Sequence, residues 1–280
     1  MHRTVCRSNS WRKSNKFIIH SGAGGNLMKK FLAVVLILMV PAVLMAQDNV
    51  QEWLDKGDAA YESFDNQTAL TSYKKVLELD EQNFDGLWKT ARALTDVGKA
   101  LGGDAEKEHY LEADKYARKC IELYGDKAES HYVLALSVGR LALFEGGKKK
   151  IELSKEVEAE AKKALEVNPE HDGAAHILGR WNHNIATLGW FLRAAAKVVY
   201  GGVPKGATLE NAEKYFAMAI DLNPEKPVHR LEYARTLIEL EKYAEAKTQL
   251  QKCLDLEKVQ WEDDNHKKEA AKMLKEIRNK

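Results

Sequence analysis

Arginine and aromatic or imidazole side chains recur in pairs along this 280-residue sequence, four residues apart. Trp88 precedes Arg92, and His176 precedes Arg180, at this spacing. Residues four apart lie on one face of a helix, so each pair would present both side chains to the same surface. A guanidinium is a forked donor that fits carboxylate or phosphate, and a ring face offers apolar or cation contacts. The pairs therefore indicate a binding surface for an acidic ligand.

The predicted binding groove gathers such side chains from the first helix of each helical hairpin described below. The candidates are Trp88, Arg92, Tyr132, Arg140, His176, Arg180, His183, Asn184 and Arg235. The alternative is that they are partly solvated residues, some of them paired with acids such as Asp96, Glu129 or Glu239. Truncating an arginine would change binding under the first interpretation, and at most stability under the second.

Two histidines raise the question of a metal site. His176 and His183 are seven residues apart and would share a helix face. Two imidazoles beside Arg180, with no carboxylate or thiol at ligand spacing, fall short of the three or four ligands that zinc takes. The sequence also has no His-Glu-x-x-His motif, and no phosphate-binding loop. We therefore predict a protein that is not an enzyme and that has neither a metal nor a cofactor.

Composition favours helices and argues against a nucleic-acid partner. Only five prolines occur, while alanine, leucine, glutamate and lysine are abundant. Seven of the 43 lysines and arginines, and none of the 42 acids, lie in residues 1–46, so the rest of the chain carries a formal charge of about −6. A nonspecific nucleic-acid binder needs a basic surface that releases counterions from phosphates. We therefore expect no nucleic-acid partner.

The stretch 227–260 shows the element that would position the groove. Ala234, Tyr243, Ala246 and Leu250 follow a spacing that resembles the tetratricopeptide repeat (TPR), in which about 34 residues form two antiparallel helices. In this repeat the first helices line the concave face of a superhelix. Further copies with insertions are predicted at 50–83, 84–125, 126–170 and 171–226.

These repeats predict an all-α fold. We expect a right-handed α–α superhelix of about five TPR-like helical hairpins over 47–260, followed by a capping helix at 261–280. Glycine-rich insertions at 101–104 and 144–150 are interpreted as loops between helices. Small residues at matching positions predict close contact between helices at Ala135, Gly179, Ala212 and Ala246. Cys120 and Cys253 fall at a further small-residue position, which predicts core thiols without a disulfide.

The segment 185–200 is an apolar insert in the fourth hairpin, with only Arg193 and Lys197 charged. A helix that is apolar nearly all round is normally buried, so packing against its own hairpin is one interpretation. A membrane-surface or partner-docking role is the other. The alternative function that follows is a lipid-binding module, in which the groove and the insert enclose acyl chains while arginines hold an anionic head group.

The N-terminal residues predict export. Met28, Lys29 and Lys30 precede an uncharged run that ends near Ala46, which is the order of a secretory signal. We interpret 28–46 as a signal peptide cleaved near Ala46, and the protein as periplasmic or extracellular. Residues 1–27 are interpreted as a non-native upstream extension.

Four stretches carry a resemblance to a known family. The string from His176 to Asn182, the insert with Trp190 and Phe191, the turn at 201–204 and the run at 212–216 resemble the regulator of microtubule dynamics family. The resemblance covers about residues 126–260. It implies an all-helical repeat domain without enzymatic activity, whose eukaryotic members associate with microtubules or organelle membranes.

The predicted function combines these interpretations. We expect a noncatalytic exported helical-repeat scaffold that binds a protein, a peptide or an acidic ligand in its concave groove. An anionic lipid is the other expected ligand. Because an exported chain does not meet microtubules, the signal predicts a partner other than microtubules.

Overall fold

The computed structural model describes residues 49–189, 193–194, 196–198, 202 and 204–280. The predicted signal peptide at 28–46 and the predicted extension at 1–27 lie outside these residues, as does part of the insert at 185–200. Among the described residues, no helix combines the length and the apolar character that crossing a membrane requires.

Antiparallel helix pairs follow one another along the described chain. Each pair packs against the next, and the first helices of successive pairs also touch from α3 to α9. The fold is thus the predicted all-α superhelix with a C-terminal capping helix. The helices are α1 (49–62), α2 (Asn66–Leu79), α3 (Phe84–Leu101), α4 (Gly103–Tyr124), α5 (Ala128–Leu141), α6 (Gly147–Val167), α7 (Asp172–Ala186), α8 (Leu209–Leu222), α9 (Pro227–Glu239), α10 (Tyr243–Asp255) and α11 (Asp263–Glu276).

Polar residues fix where several helices begin. The side chain of Asp65 accepts the backbone N–H of Thr68 at 3.0 Å before α2, and Asn83 accepts that of Gly86 at 2.9 Å before α3. Such N-caps satisfy N–H groups that have no partner inside the helix. Pro227 occupies the start of α9, where its fixed φ suits a first turn and its missing N–H costs nothing.

Glycines allow the two helices of a hairpin to approach closely. A Cβ added to Gly57 would lie 2.4 Å from the ring of Tyr73, and one added to Gly179 would lie 2.7 Å from the ring of Phe216. Both rings are fully buried. The structure thus places Gly179 at the kind of contact that its spacing predicted, and the predicted positions Ala135, Ala212 and Ala246 are also buried.

The links at the glycine-rich insertions lie where loops were predicted, but they are shorter than predicted. Helix α3 ends at Leu101 and α4 begins at Gly103, so the chain reverses at Gly102 and Gly103, whose φ values are 70° and 59°. Glycine adopts such positive φ values readily, which makes a one-residue reversal possible. In the third hairpin the link is only 142–146, because Gly147 already begins α6. The insertions lengthen helices instead.

Both described cysteines are core thiols, as predicted. Cys120 and Cys253 are free and fully buried. Burial raises the pKa of each thiol to about 11, which keeps it protonated and unreactive at neutral pH.

The C-terminal end of the superhelix contacts its first two hairpins. Glu262 forms an ion pair with Lys99 near the end of α3, and the ammonium of Lys258 lies 4.9 Å from the ring centroid of Phe64. The carboxylate of the fully buried Asp263 accepts the backbone N–H groups of residues 259 and 260 at 2.9 and 2.7 Å, and so fixes the segment that makes these contacts. We call residues 256–262 the closing segment.

Candidate functional site

A groove of about 630 Å³ runs along the first helices and ends against the closing segment and α11. The first helix of each hairpin faces the groove, so residues that are far apart in the sequence come together there. Seven of the nine predicted site residues line this groove: Arg92, Tyr132, Arg140, His176, Arg180, Asn184 and Arg235.

Trp88 and His183 do not line the groove, contrary to prediction. The indole N–H of Trp88 donates to Asp85 at 2.9 Å, and its ring packs on the core instead. His183 is buried, and its Nδ1 lies 3.0 Å from the hydroxyl of Thr236 on α9. The helical register of α7 alone does not show that α9 covers this face, so the prediction misplaced His183.

Arg92 is held by aromatic rings at one end of the groove. Its guanidinium lies 3.8 Å from the ring centroid of Tyr61 and 4.7 Å from that of Trp88. The hydroxyl of Tyr61 donates to Asp96 at 3.0 Å. Burial raises the pKa of the Asp96 carboxyl, and the positive charge of Arg92 opposes that rise. Stacking on two rings therefore holds Arg92 in place, while its Nε is buried without a partner among the described residues.

Arg140 and Arg180 lie in the middle of the groove without an acidic partner. Within the described part of the chain, neither guanidinium forms an ion pair or a hydrogen bond, and the Nε of Arg140 is buried with no partner at all. Arg235 differs, because it pairs with Glu232 at 3.3 Å and with Glu269 at 2.9 Å. The groove centre thus offers forked donors that are free to bind an anion.

A series of polar contacts connects His176 to His229, Asp172 and Lys226. The Nε2 of His229 donates to Asp172 at 2.9 Å, and the ammonium of Lys226 donates to the same carboxylate oxygen at 2.6 Å. The Nδ1 atoms of His229 and His176 are 2.9 Å apart, so with neutral rings the proton between them belongs to His176. The Nε2 of His176 is then an acceptor available to a ligand.

The pKa values of this series follow from burial and charge. Burial, and then the neighbouring His229, hold the pKa of His176 well below its usual range. Burial also lowers the pKa of His229, although the Asp172 carboxylate opposes this. Burial disfavours ionisation of Asp172, but the hydrogen bond from His229 and the charge of Lys226 outweigh it and keep its pKa low. The series therefore holds a carboxylate, an ammonium and two neutral imidazoles at neutral pH.

An apolar pocket of about 720 Å³ adjoins the groove between α5, α6 and α7. Ile151, Val157 and Trp181 are among its walls, and the indole of Trp181 donates to the carbonyl of Ser154 at 2.8 Å. The residues that line both spaces are Leu136, Arg140, His176, Ile177, Arg180 and Asn184. The two unpaired arginines thus stand at the boundary between a polar groove and an apolar pocket.

Several groove residues were missed by the sequence reasoning. The sequence indicated Asp96 only as an acidic partner of the groove residues, Tyr61 lies on a predicted helix, and His229 follows the Pro227 that opens α9. Trp261 gave no such signal, because the closing segment lies beyond the repeat pattern that defined the groove. Among the described residues, no group of three or more histidines, cysteines or acids is placed to hold a metal ion. The geometry of the described groove supports binding.

Comparison with known proteins adds a family to this geometry. Residues 53–278 match the family described as Regulator of microtubule dynamics protein 1-3. Regulator of microtubule dynamics protein 1 of Bos taurus is 30% identical over 237 residues, which cover 82% of this chain and 73% of that protein. Regulator of microtubule dynamics protein 3 of Bos taurus is 29% identical over 201 residues, covering 71% of this chain and 42% of that protein.

A solved structure supports the fold alone. A thermophilic TPR protein of Thermus thermophilus superposes with a TM-score of 0.60 at 17% identity, covering 80% of this chain and 98% of that one. The resemblance to TPR superhelices that the repeat spacing predicted is therefore confirmed.

Proposed function

Because this chain belongs to the family of Regulator of microtubule dynamics protein 1-3, we propose that it is a noncatalytic helical-repeat scaffold that binds an acidic segment of a protein or peptide in its groove. TPR folds support a protein-binding role in general terms. The acidic character of the partner is our addition.

One observation carries the proposal. Arg140 and Arg180 line the groove centre, and neither has a carboxylate partner among the described residues. A charged group that is partly buried without a partner costs stability, and such a cost is offset when a ligand supplies the missing anion. Arg92 and the acceptor on His176 would flank that anion.

The test uses a tetraglutamate peptide as a minimal acidic probe, with tetraglutamine as its uncharged counterpart. We expect calorimetry to show binding of tetraglutamate that weakens with salt, and little binding of tetraglutamine. Arg180→Ala should cost about 1.5 to 3 kcal/mol of affinity, because it removes a charge-assisted, forked contact. Arg235→Ala is the matched control, since Glu232 and Glu269 already occupy that guanidinium. Equal affinities of wild type and Arg180→Ala would refute the groove as the site.

A second candidate function rests on the apolar pocket. Its walls are apolar while Arg140 and Arg180 stand at its border, so the tail of a single-chain amphiphile would fit the pocket and its anionic head group would reach the arginines. Ile151→Asn should weaken binding of a fluorescent fatty acid and leave tetraglutamate binding unchanged. Native mass spectrometry of protein purified from its own host would identify which class of ligand copurifies.

Export is a further part of the proposal. The order of charged, apolar and small residues at 28–46 supports it. The relatives are named for microtubule dynamics, and we propose that this chain shares their scaffold but has another partner. N-terminal sequencing of the protein from its host should give a start near Gln47. A start at Met28 together with co-sedimentation on microtubules would overturn both statements.

A further inference from the structure

The superhelix has two edges, and on one of them the tips of the third and fourth hairpins differ in charge from the turns on the other edge. One edge holds the tips where the two helices of a hairpin join, and the other holds the turns that connect one hairpin to the next. Large apolar side chains are exposed on both. On the turn edge these are Leu79, Leu123 and Val167, and on the tip edge they include Leu101, Leu143, Phe144 and Val198.

Acids surround the apolar residues of the turn edge. Leu79 is exposed by 49% and is flanked by Glu78, Asp80 and Glu81, all of them exposed. Val167 is exposed by 47% and lies between Glu166 and Glu170. An anionic surface would be repelled from this edge.

Bases outnumber acids at the tips of the third and fourth hairpins, although Lys148 pairs with Glu152 at 3.7 Å. Leu143 is exposed by 59% and precedes the exposed run from Lys148 to Lys150. Val198 is exposed by 86% and follows the exposed Lys197. In sequence, residues 187–206 contain one arginine, two lysines and no acid. This end of the molecule is thus basic on a chain body that is acidic.

The two tips form one continuous surface. Leu143, Gly147 and Lys150 of the third tip share the walls of the apolar pocket with Ala196 and Pro204 of the fourth. The second tip adjoins the third, because Lys107 pairs with Glu145 at 3.3 Å and the ring of Tyr110 packs edge-on against Phe144 with centroids 5.8 Å apart.

We propose that the tips of the third and fourth hairpins dock on an anionic lipid bilayer, with Leu143 and Val198 entering the interface and the lysines contacting lipid phosphates and carboxylates. Apolar insertion and electrostatic attraction act together at such surfaces, and neither alone gives stable attachment. The charge difference selects the tip edge over the turn edge. The inference does not depend on the groove, and it concerns the surface of the whole domain.

The test is flotation of residues 47–280 with vesicles of phosphatidylcholine alone, or of phosphatidylcholine mixed with phosphatidylserine. We expect binding to the mixed vesicles only, with attachment lost at high salt. The variant Lys148→Glu/Lys149→Glu and the variant Leu143→Ser/Val198→Ser should each weaken binding at least tenfold. The matched control Leu79→Ser/Val167→Ser removes equally exposed apolar residues from the acidic edge and should bind as wild type does.

Three results would overturn the inference. They are absence of binding to both kinds of vesicle, equal binding to both, and equal loss of binding in the control variant. If light scattering instead shows a dimer that Leu143→Ser/Val198→Ser dissociates, the surface joins two copies of the chain and the membrane assignment is wrong.

Discussion

The contact layer, where the two helices of a hairpin touch, differs from the groove on the concave face. The first is closely packed, whereas the second holds charged groups without partners among the described residues. Inside the hairpins, Gly57 packs against the ring of Tyr73 and Gly179 against the ring of Phe216, and the hydroxyl of Tyr73 donates to Asp58 at 2.8 Å. In the groove, Arg140 and Arg180 are partly buried without an acidic partner among the described residues. Packing inside the hairpins therefore stabilises the fold, whereas the donors in the groove are available to bind a ligand.

Overpacking the contact layer should have the largest effect. Gly179→Leu would drive a side chain into the ring of Phe216, so we expect a loss of up to about 3 kcal/mol of unfolding free energy. Thermal unfolding measures it. Gly189→Leu is the matched control, because a Cβ at Gly189 meets no atom within 4 Å. Identical melting curves for the two variants would show that the contact layer is not tightly packed.

Removing an unpaired groove arginine should lower ligand affinity without lowering stability. Arg140→Met keeps an unbranched apolar stem but removes the charge and the forked donors, so we expect affinity for tetraglutamate to fall by about 1.5 to 3 kcal/mol. The melting temperature should stay the same or rise, because the partnerless Nε is gone. Arg235→Met should instead lower the melting temperature slightly through the loss of its two ion pairs. A large destabilisation by Arg140→Met would erase the contrast between the two regions.

Acidification should lower the unfolding free energy through the protonation of His176 in the unfolded chain. The unfolded chain takes up a proton on this histidine near pH 6.5, whereas the pKa of the folded ring lies well below that value. As the pH falls below about 6.5, the unfolded state binds the extra proton, so stability decreases by up to about 1.4 kcal/mol per pH unit. The charged or titratable groups that act on this ring are His229, Arg180, Lys226 and His266, and Asp172 lies beyond His229.

The measurement compares unfolding free energies at neutral and at mildly acidic pH. His176→Gln should reduce the pH dependence, because glutamine does not titrate. If both proteins lose stability equally on acidification, the series of polar contacts at His176 does not carry the effect.

Opening the closing segment should have the smallest effect on stability. The Lys99 and Glu262 pair is partly exposed, so a double-mutant cycle with alanine should give a coupling energy of at most about 1 kcal/mol. Hydrogen exchange should nevertheless rise at residues 258–262. Unchanged exchange there would mean that other contacts hold the segment.

The sequence predicted the contact layer better than the groove for a physical reason. Close packing of Gly179 depends on helix spacing within one hairpin, which a repeat pattern shows directly. His183 and Trp88 failed because their surroundings are set by neighbouring elements, namely α9 for His183 and the core beneath α3 for Trp88. The links at 101–104 and 144–150 are shorter than predicted because glycines at positive φ reverse the chain within very few residues.

The closing segment was beyond prediction for a different reason. Its contacts, such as Lys258 on Phe64, join residues almost two hundred positions apart in the sequence. Local periodicity carries no information about the total rotation that five hairpins accumulate. The same limit concealed the place of Trp261 in the groove.

The contact between the two ends has a mechanical consequence. An open solenoid is compliant, because small changes of rotation between neighbouring hairpins add up along its length. Here the contacts of Glu262 with Lys99 and of Lys258 with Phe64 restrain that total rotation, so a change of rotation in one hairpin is resisted by the contacts between the two ends. The superhelix is therefore stiffer than an open solenoid of the same length. The width of the groove is therefore set before a ligand binds. Little conformational entropy of the protein is lost on binding, and ligands that are too wide do not fit.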